Sequence, residues 1–209
     1  VLERRILELR DVTYQGPEIS DQILLNQLPA EYKNLLQQIN GFVQFGNGLH
    51  IRGICDDPGW HSLAPVLNGK LALYKLYPIL THKDIPFGQN VFGDQYILRS
   101  GFVYKLLGEI GELAAMNCGL LDFLGLAQTN PVEYLELHPL VQFYNNGGIL
   151  EPGQLLSVYP PFCTQEAANG VSLKPISVHE RIKFLADFAS QISTVANGEK
   201  ITIKVAEND

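Results

Sequence analysis

Basic charge is scarce in this chain. Lys and Arg number 15 against 22 Asp and Glu, a formal net charge of −7 over 209 residues. A field of that sign repels phosphate backbones and attracts cationic partners, so nucleic acid is not an expected ligand. Cysteine is nearly missing as well. Cys55, Cys118 and Cys163 are odd in number and widely spaced, with no Cys-x-x-Cys pair, which excludes a disulfide framework and favours the reduced thiols of a cytoplasmic protein. Apolar runs such as "LLDFLGLA" at 120–127 fall far short of the roughly 20 residues that a membrane span requires. The opening "VLERRILELR" has neither an uninterrupted apolar stretch nor a small-residue cleavage site, so it is not expected to be a secretory signal.

Catalytic patterns are also wanting. "APVLNGKL" carries the Gly-Lys of a phosphate loop but lacks its first glycine, and Leu71 stands where Ser or Thr would hold magnesium. There is no Gly-x-Ser-x-Gly elbow and no His-Glu-x-x-His pair, and "FGNGLHI" lacks the third glycine of a dinucleotide fingerprint. His50, His61, His82, His138 and His179 show no helical or zinc-finger pairing. The densest polar cluster, "CDDPGWHS", offers Cys55, Asp56, Asp57 and His61 as conceivable ligands, but a structural site needs a second tight pair. The competing reading, a solvated turn whose Asp residues accept backbone amides, is preferred. No catalytic residue, metal or cofactor is therefore expected, and Trp60 is weighed as a core anchor against a partner-binding hot spot.

What is present is a folding pattern. Hydrophobic residues make up 46% of the chain, enough for a buried core. "LPAEYKNLLQQINGF" places Leu28, Tyr32, Leu35, Leu36 and Ile39 on one helical stripe, with Pro29 in the first turn and Gly41 beyond the end. "GNGLHIRGI" alternates as a strand entered through a Gly-Asn-Gly turn. A short helix is expected near 60–67, then an irregular apolar connection. "KDIPFGQNVFGDQYILRSGFVYKL", 83–106, reads as strands around turns, with Tyr96 and Leu98 on one face and Gln95, Ile97 and Arg99 on the other. "NCGLLDFLGLAQ" is a helix, and "NPVEYLELHPLVQFYNNGG" a second one broken or kinked at Pro139 and ended by Gly147 and Gly148. The strongest helix is "ISVHERIKFLADFASQISTVANG", with Ser177 and Glu180 as a capping box and Gly198 as its stop; "KITIKV" follows as an edge strand. Both parts are acidic: residues 1–127 hold 10 basic and 13 acidic side chains, the remainder 5 and 9.

The ordered set "LPAEYKNLLQQING", "GLHIRG", "DIPFGQNVFGDQYILR", "GFVYKL" and "LLDFL" resembles the SUKH superfamily, which groups yeast cell-wall synthesis regulators with bacterial immunity proteins of polymorphic toxin systems. The resemblance covers about residues 28–127. It implies an α+β fold, an antiparallel sheet covered by helices, in a domain without enzymatic activity. Residues 1–127 would form that core with its lead-in, and 128–209 a mainly helical extension packed on it as one domain. In this reading Gly41, Gly88 and Gly93 are structural glycines, serving turns, bulges or close backbone approaches. Within the extension, Tyr159, Pro160, Pro161 and Phe162 are weighed as an extended recognition segment against a packed loop, the loop being preferred.

The expected function is binding to a cationic protein partner, such as a toxin domain that an immunity protein occludes. The candidate surface is acidic, comprising Asp56, Asp57 and Trp60 with Asp84 and Asp94 as neighbours. The alternatives are a regulatory scaffold for several proteins, and a hydrolase or small-ligand protein with its site between core and extension.

Overall fold

The computed structural model describes residues 9–196, 198 and 199. Its fold is α+β, as expected. Seven antiparallel strands form one meander in which each strand pairs with its sequence neighbour. They are β1 (Val12–Gln15), β2 (Phe42–Gln44), β3 (Leu49–Ile51), β4 (Ile85–Asn90), β5 (Gln95–Arg99), β6 (Phe102–Leu107) and β7 (Glu112–Ala115). Turn chemistry sets this order. Ser100 and Gly101, with φ of 53° and 84°, form the two-residue β5–β6 hairpin turn whose twist matches that of the strands. At the β4–β5 turn, Asn90 Oδ1 accepts from the Phe92 and Asp94 amides, and Gly93 takes φ 96°.

The central strands β2–β5 are buried on both faces. On one face Phe42, Ile51, Tyr96 and Leu98 lie against α2 (Ala30–Gln38) and α5 (Leu120–Thr129); Tyr32 of α2 meets Phe87, and Phe123 of α5 meets Tyr96 at 4.6 Å between ring centroids. The expected stripe of α2 is in place, with Tyr32, Leu35 and Leu36 buried. Each such fully buried large side chain contributes about 1.5–3 kcal/mol by its removal from water. Gly41 has φ 74°, and a Cβ there would come within 2.5 Å of the Gly53 amide nitrogen, so the approach of the neighbouring backbone demands glycine.

The opposite face carries a cross-strand row of Tyr14, Val43, His50, Gln89, Gln95, Leu106 and Leu113, one residue from each strand of the sheet. It is covered by the 54–63 loop and by the part of the extension around Gly153, Leu155 and Val178, whereas Tyr134 of the extension packs on Phe123 at the first face. The extension comprises α6 (Pro131–Tyr134), α7 (His138–Asn145), the hairpin β8 (Gln154–Tyr159) and β9 (Ser172–Ser177), and α8 (Val178–Ile192). Leu156 donates its amide to Val91 O at 2.8 Å, Arg181 Nε donates to Phe92 O at 2.9 Å, and Gly153 lies so close to Trp60 that a Cβ would stand 2.7 Å from its Cδ1. One apolar core therefore runs from Leu24 through Tyr96 to Ile182 and Ala189.

Some expectations shift in detail. The 127 boundary falls inside α5, which continues to Thr129. The helix expected near 60–67 is only the turn Ala64–Leu67, and a further turn occupies Leu73–Leu76 in the stretch read as irregular. Pro139 opens α7, since its missing N–H costs nothing in a first turn, and the break lies just before it. "QLLSVY", for which no element is expected from the sequence, is a strand paired throughout with β9. Ser177 caps α8 and reaches Glu180, but the helix ends at Ile192, before Gly198. "KITIKV" lies outside the described residues.

Candidate functional site: a polar row and a junction groove

Two polar constellations result from this architecture. The first lies within the sheet. Arg52, only 1% exposed, has no carboxylate partner among the described residues; its guanidinium donates to Pro86 O (2.8 Å), Gly88 O (3.2 Å), Gln89 Oε1 (2.6 Å) and Gln95 Oε1 (2.6 Å). The register of β4 slips between Pro86 and Gly88, and Arg52 satisfies carbonyls at that bulge. Burial lowers its pKa to about 10, which leaves it charged at neutral pH. Gly88 serves close approach: a Cβ there would meet His50 O at 2.8 Å.

Beside it, His61 Nε2 lies 2.9 Å from Asn40 O, which can only accept, so His61 carries its proton there. Its Nδ1 must then accept from His50 Nε2 at 2.9 Å, and His50 Nδ1 accepts from Gln89 Nε2 at 3.2 Å. Both imidazoles are neutral in this chain of donors. Burial lowers both pKa values, with the other imidazole and Arg52 adding repulsion at His50, and Arg52 at His61. Every group in the row is engaged, so its chemistry is architectural.

The second constellation is a groove of about 690 Å3 at the junction of core and extension. Its core wall includes Phe92, Asp94, Lys105 and Glu109; Glu133, Glu136, Phe162 and Arg181 come from the extension. The charges are linked in series. Lys105 Nζ meets Asp94 Oδ2 at 3.1 Å and also pairs with Glu136, while Arg181 Nη2 faces Glu109 Oε1 at 3.8 Å. Burial lowers the Lys105 pKa, but Asp94 and Glu136 outweigh it and leave the value raised. Glu136 holds φ 59°, an uncommon backbone state for this residue type, and its side chain is 72% exposed. Glu109 Oε2 accepts the Cys163 amide at 2.9 Å. Burial of the Cys163 sulfur and the Glu109 carboxylate push that thiol up to about 11, so it is not a thiolate at neutral pH. Phe162 is 41% exposed and meets Phe92 edge-on at 5.3 Å.

The five residues expected to form one acidic surface are distributed among separate environments. Asp56 and Asp57 are exposed, and Asp56 accepts from Ser20 Oγ at 3.2 Å. Trp60 is half-buried against Tyr14, His50 and His61, an anchor between core and extension. Asp84 is buried and bound by Arg99 through two bonds of 2.6 and 2.8 Å, which hold its carboxyl below the usual range despite the opposing effect of burial. Asp94 alone enters the groove, where it also accepts the Gly108 amide. The structure thus brings Asp94 together with groups that local sequence did not single out: Lys105, Glu109, Glu133, Glu136 and Arg181. Two signals pointed toward them. Phe162 was noted in the Tyr-Pro-Pro-Phe segment, and Arg181 occupies a core-facing position of the α8 stripe, where a cation is out of place unless it has a task.

No protein-family model matches the chain, and no curated protein matches it. Among solved structures it is similar to the crystal structure of Atu4351 from Agrobacterium tumefaciens, at 12% identity and a TM-score of 0.48, with 84% of this chain and 85% of that chain covered. That likeness carries no argument about function. Among the described residues, no helix is long and apolar enough to cross a membrane, and no group of three or more His, Cys, Asp or Glu side chains is placed to hold a metal ion.

Proposed function

We propose that this chain is a non-enzymatic, cytoplasmic protein-binding module of the SUKH type, which neutralises a cationic toxin domain by occluding it. The observation that carries this reading is the junction groove. Four carboxylates stand there against Lys105 and Arg181, so its lining is net negative, as is the whole chain. Phe162 supplies an exposed aromatic anchor beside those acids, the pairing of apolar contact and charged rim that sets residence time and encounter rate respectively. The Tyr-Pro-Pro-Phe segment thereby replaces Trp60 as the anchor, because Trp60 is spent on joining the extension to the sheet.

The test is to inspect the neighbouring reading frames and to co-express this chain with any cytotoxic domain they encode. The expected outcome is relief of growth arrest and a stable complex whose on-rate falls with salt. Phe162→Ala should raise the off-rate by on the order of tenfold or more, as a hot spot does. An undiminished arrest with no complex ends the immunity reading.

A further inference from the structure

The groove holds a feature that a purely acidic site does not require. Among the described residues, Arg181 Nη1 is the buried side-chain nitrogen or oxygen that has no hydrogen-bond partner. Arg181 is 1% exposed, and its Nε is committed to Phe92 O. Glu109 does not complete it: the carboxylate lies 3.8 Å from Nη2, beyond hydrogen-bond distance, and its other oxygen holds the Cys163 amide. A buried guanidinium left short of acceptors is costly, and a carboxylate is the acceptor whose geometry it fits.

An anion by itself would meet a lining of net negative charge. Glu133 and Glu136 pair with His138 and Lys105 respectively, but at 63% and 72% side-chain exposure they keep solvent-facing carboxylate lone pairs to which a ligand's cation can add. The volume suits a ligand of several residues or fewer, and Phe92, Leu107, Ile110 and Phe162 offer apolar wall between the charged ends. We infer that the groove takes one amphoteric segment of the protein partner, its carboxylate on Arg181 and its basic side chain between Glu133 and Glu136. This rests on the protein-binding reading above and specifies the chemistry of the segment bound. Nη1 is enclosed, so the carboxylate reaches it only when a wall side chain moves, and Phe162, 41% exposed, is the aromatic wall residue most open to solvent.

Three small probes separate the contributions. N-acetylarginine carries both charges, N-acetylarginine amide only the cation, and N-acetylcitrulline only the anion. Binding is read by calorimetry and by NMR of the Arg181 Nε–H and Phe162 ring signals in the full chain. N-acetylarginine should bind about tenfold more tightly than either of the others, and it should be the probe that shifts Arg181 Nε–H strongly. Glu133→Gln with Glu136→Gln, both exposed, should remove its advantage over N-acetylcitrulline. Arg181→Gln should remove its advantage over the amide; if that variant fails to fold, the acid–amide comparison on the wild type still decides. Equal binding of acid and amide, or no binding of any probe, overturns the inference. Toxin capture alongside equal acid and amide binding leaves the immunity reading standing without it, whereas the expected probe ranking without toxin capture defeats the immunity reading alone.

Discussion

At the scale of single residues, Gly93 and the two buried imidazoles show how one position can be fixed by several forces. Gly93 has φ 96°, and a Cβ added to it would stand 2.6 Å from Leu185 Cδ1 and 3.0 Å from Arg181 Cγ. Gly101 has a comparable φ of 84° but nothing within 4 Å of its Cβ position. Gly93→Val is therefore expected to destabilise by about 2 kcal/mol or more, combining backbone strain with displacement of α8. Gly101→Ala should cost about 1 kcal/mol, since only the backbone contributes. Denaturant unfolding of both checks the difference, and equal losses would mean that contact with α8 contributes nothing.

His50 and His61 make a pH prediction of definite sign. In the unfolded chain both take up protons near pH 6.5, whereas in the fold both values are lowered. Between those values the unfolded state binds more protons, so stability is fully present above about pH 6.5 and declines as pH falls below it. Melting temperature measured from pH 7.5 to 5 should drop, and His50→Gln should flatten the slope. A profile that is level over this interval would show that the imidazoles protonate in place. Asp84 acts in a lower window: its depressed carboxyl adds stability that is lost only as pH falls below the ordinary Asp range.

At the scale of elements, α8 was legible almost residue by residue. Ile182, Leu185, Phe188, Ala189 and Ile192 recur at helical spacing, and Ser177 stands as a cap three residues before Glu180, so neighbours alone announce the helix and its start. Ser177→Ala should cost about 1 kcal/mol of stability, measured by chemical denaturation, because the Glu180 amide loses its acceptor. A neutral substitution would mean that water serves the exposed amide equally well. The end of α8 was less legible: the chain leaves the helix at Ile192, before the glycine that the pattern offered as a stop. β8 was missed because "QLLSVY" is bounded by Pro and Gly, and the partner strand that makes it a hairpin begins at Ser172, beyond the reach of local periodicity.

For the whole molecule, the decisive contacts are those that join the extension to the sheet. The Leu156–Val91 and Arg181–Phe92 hydrogen bonds and the seating of Trp60 on Gly153 tie residues beyond Asn130 to both the β4–β5 turn and the buried row. Limited proteolysis is accordingly expected to leave the two parts together. Rapid release of a stable fragment ending near residue 130 would show that the core is not shared.

The division between what sequence and what tertiary structure determined follows from distance along the chain. Helical stripes, alternating strands, the Ser100–Gly101 turn and the capping box depend on residues within about one turn of one another, so individual helices and the β5–β6 hairpin could be read from order alone, while the α+β fold with its covered antiparallel sheet came as what the family resemblance implies. The acidic charge of the chain was equally plain, but not where it would act. Asp84 and Asp94 look alike in sequence, yet packing commits the first to Arg99 and places the second in a groove. The groove itself draws on residues 94, 105, 109, 133, 136, 162 and 181, separated by up to 87 positions and brought together only when the extension closes over the sheet. No local pattern carries that information, because burial and charge pairing are properties of the neighbours a side chain meets in space.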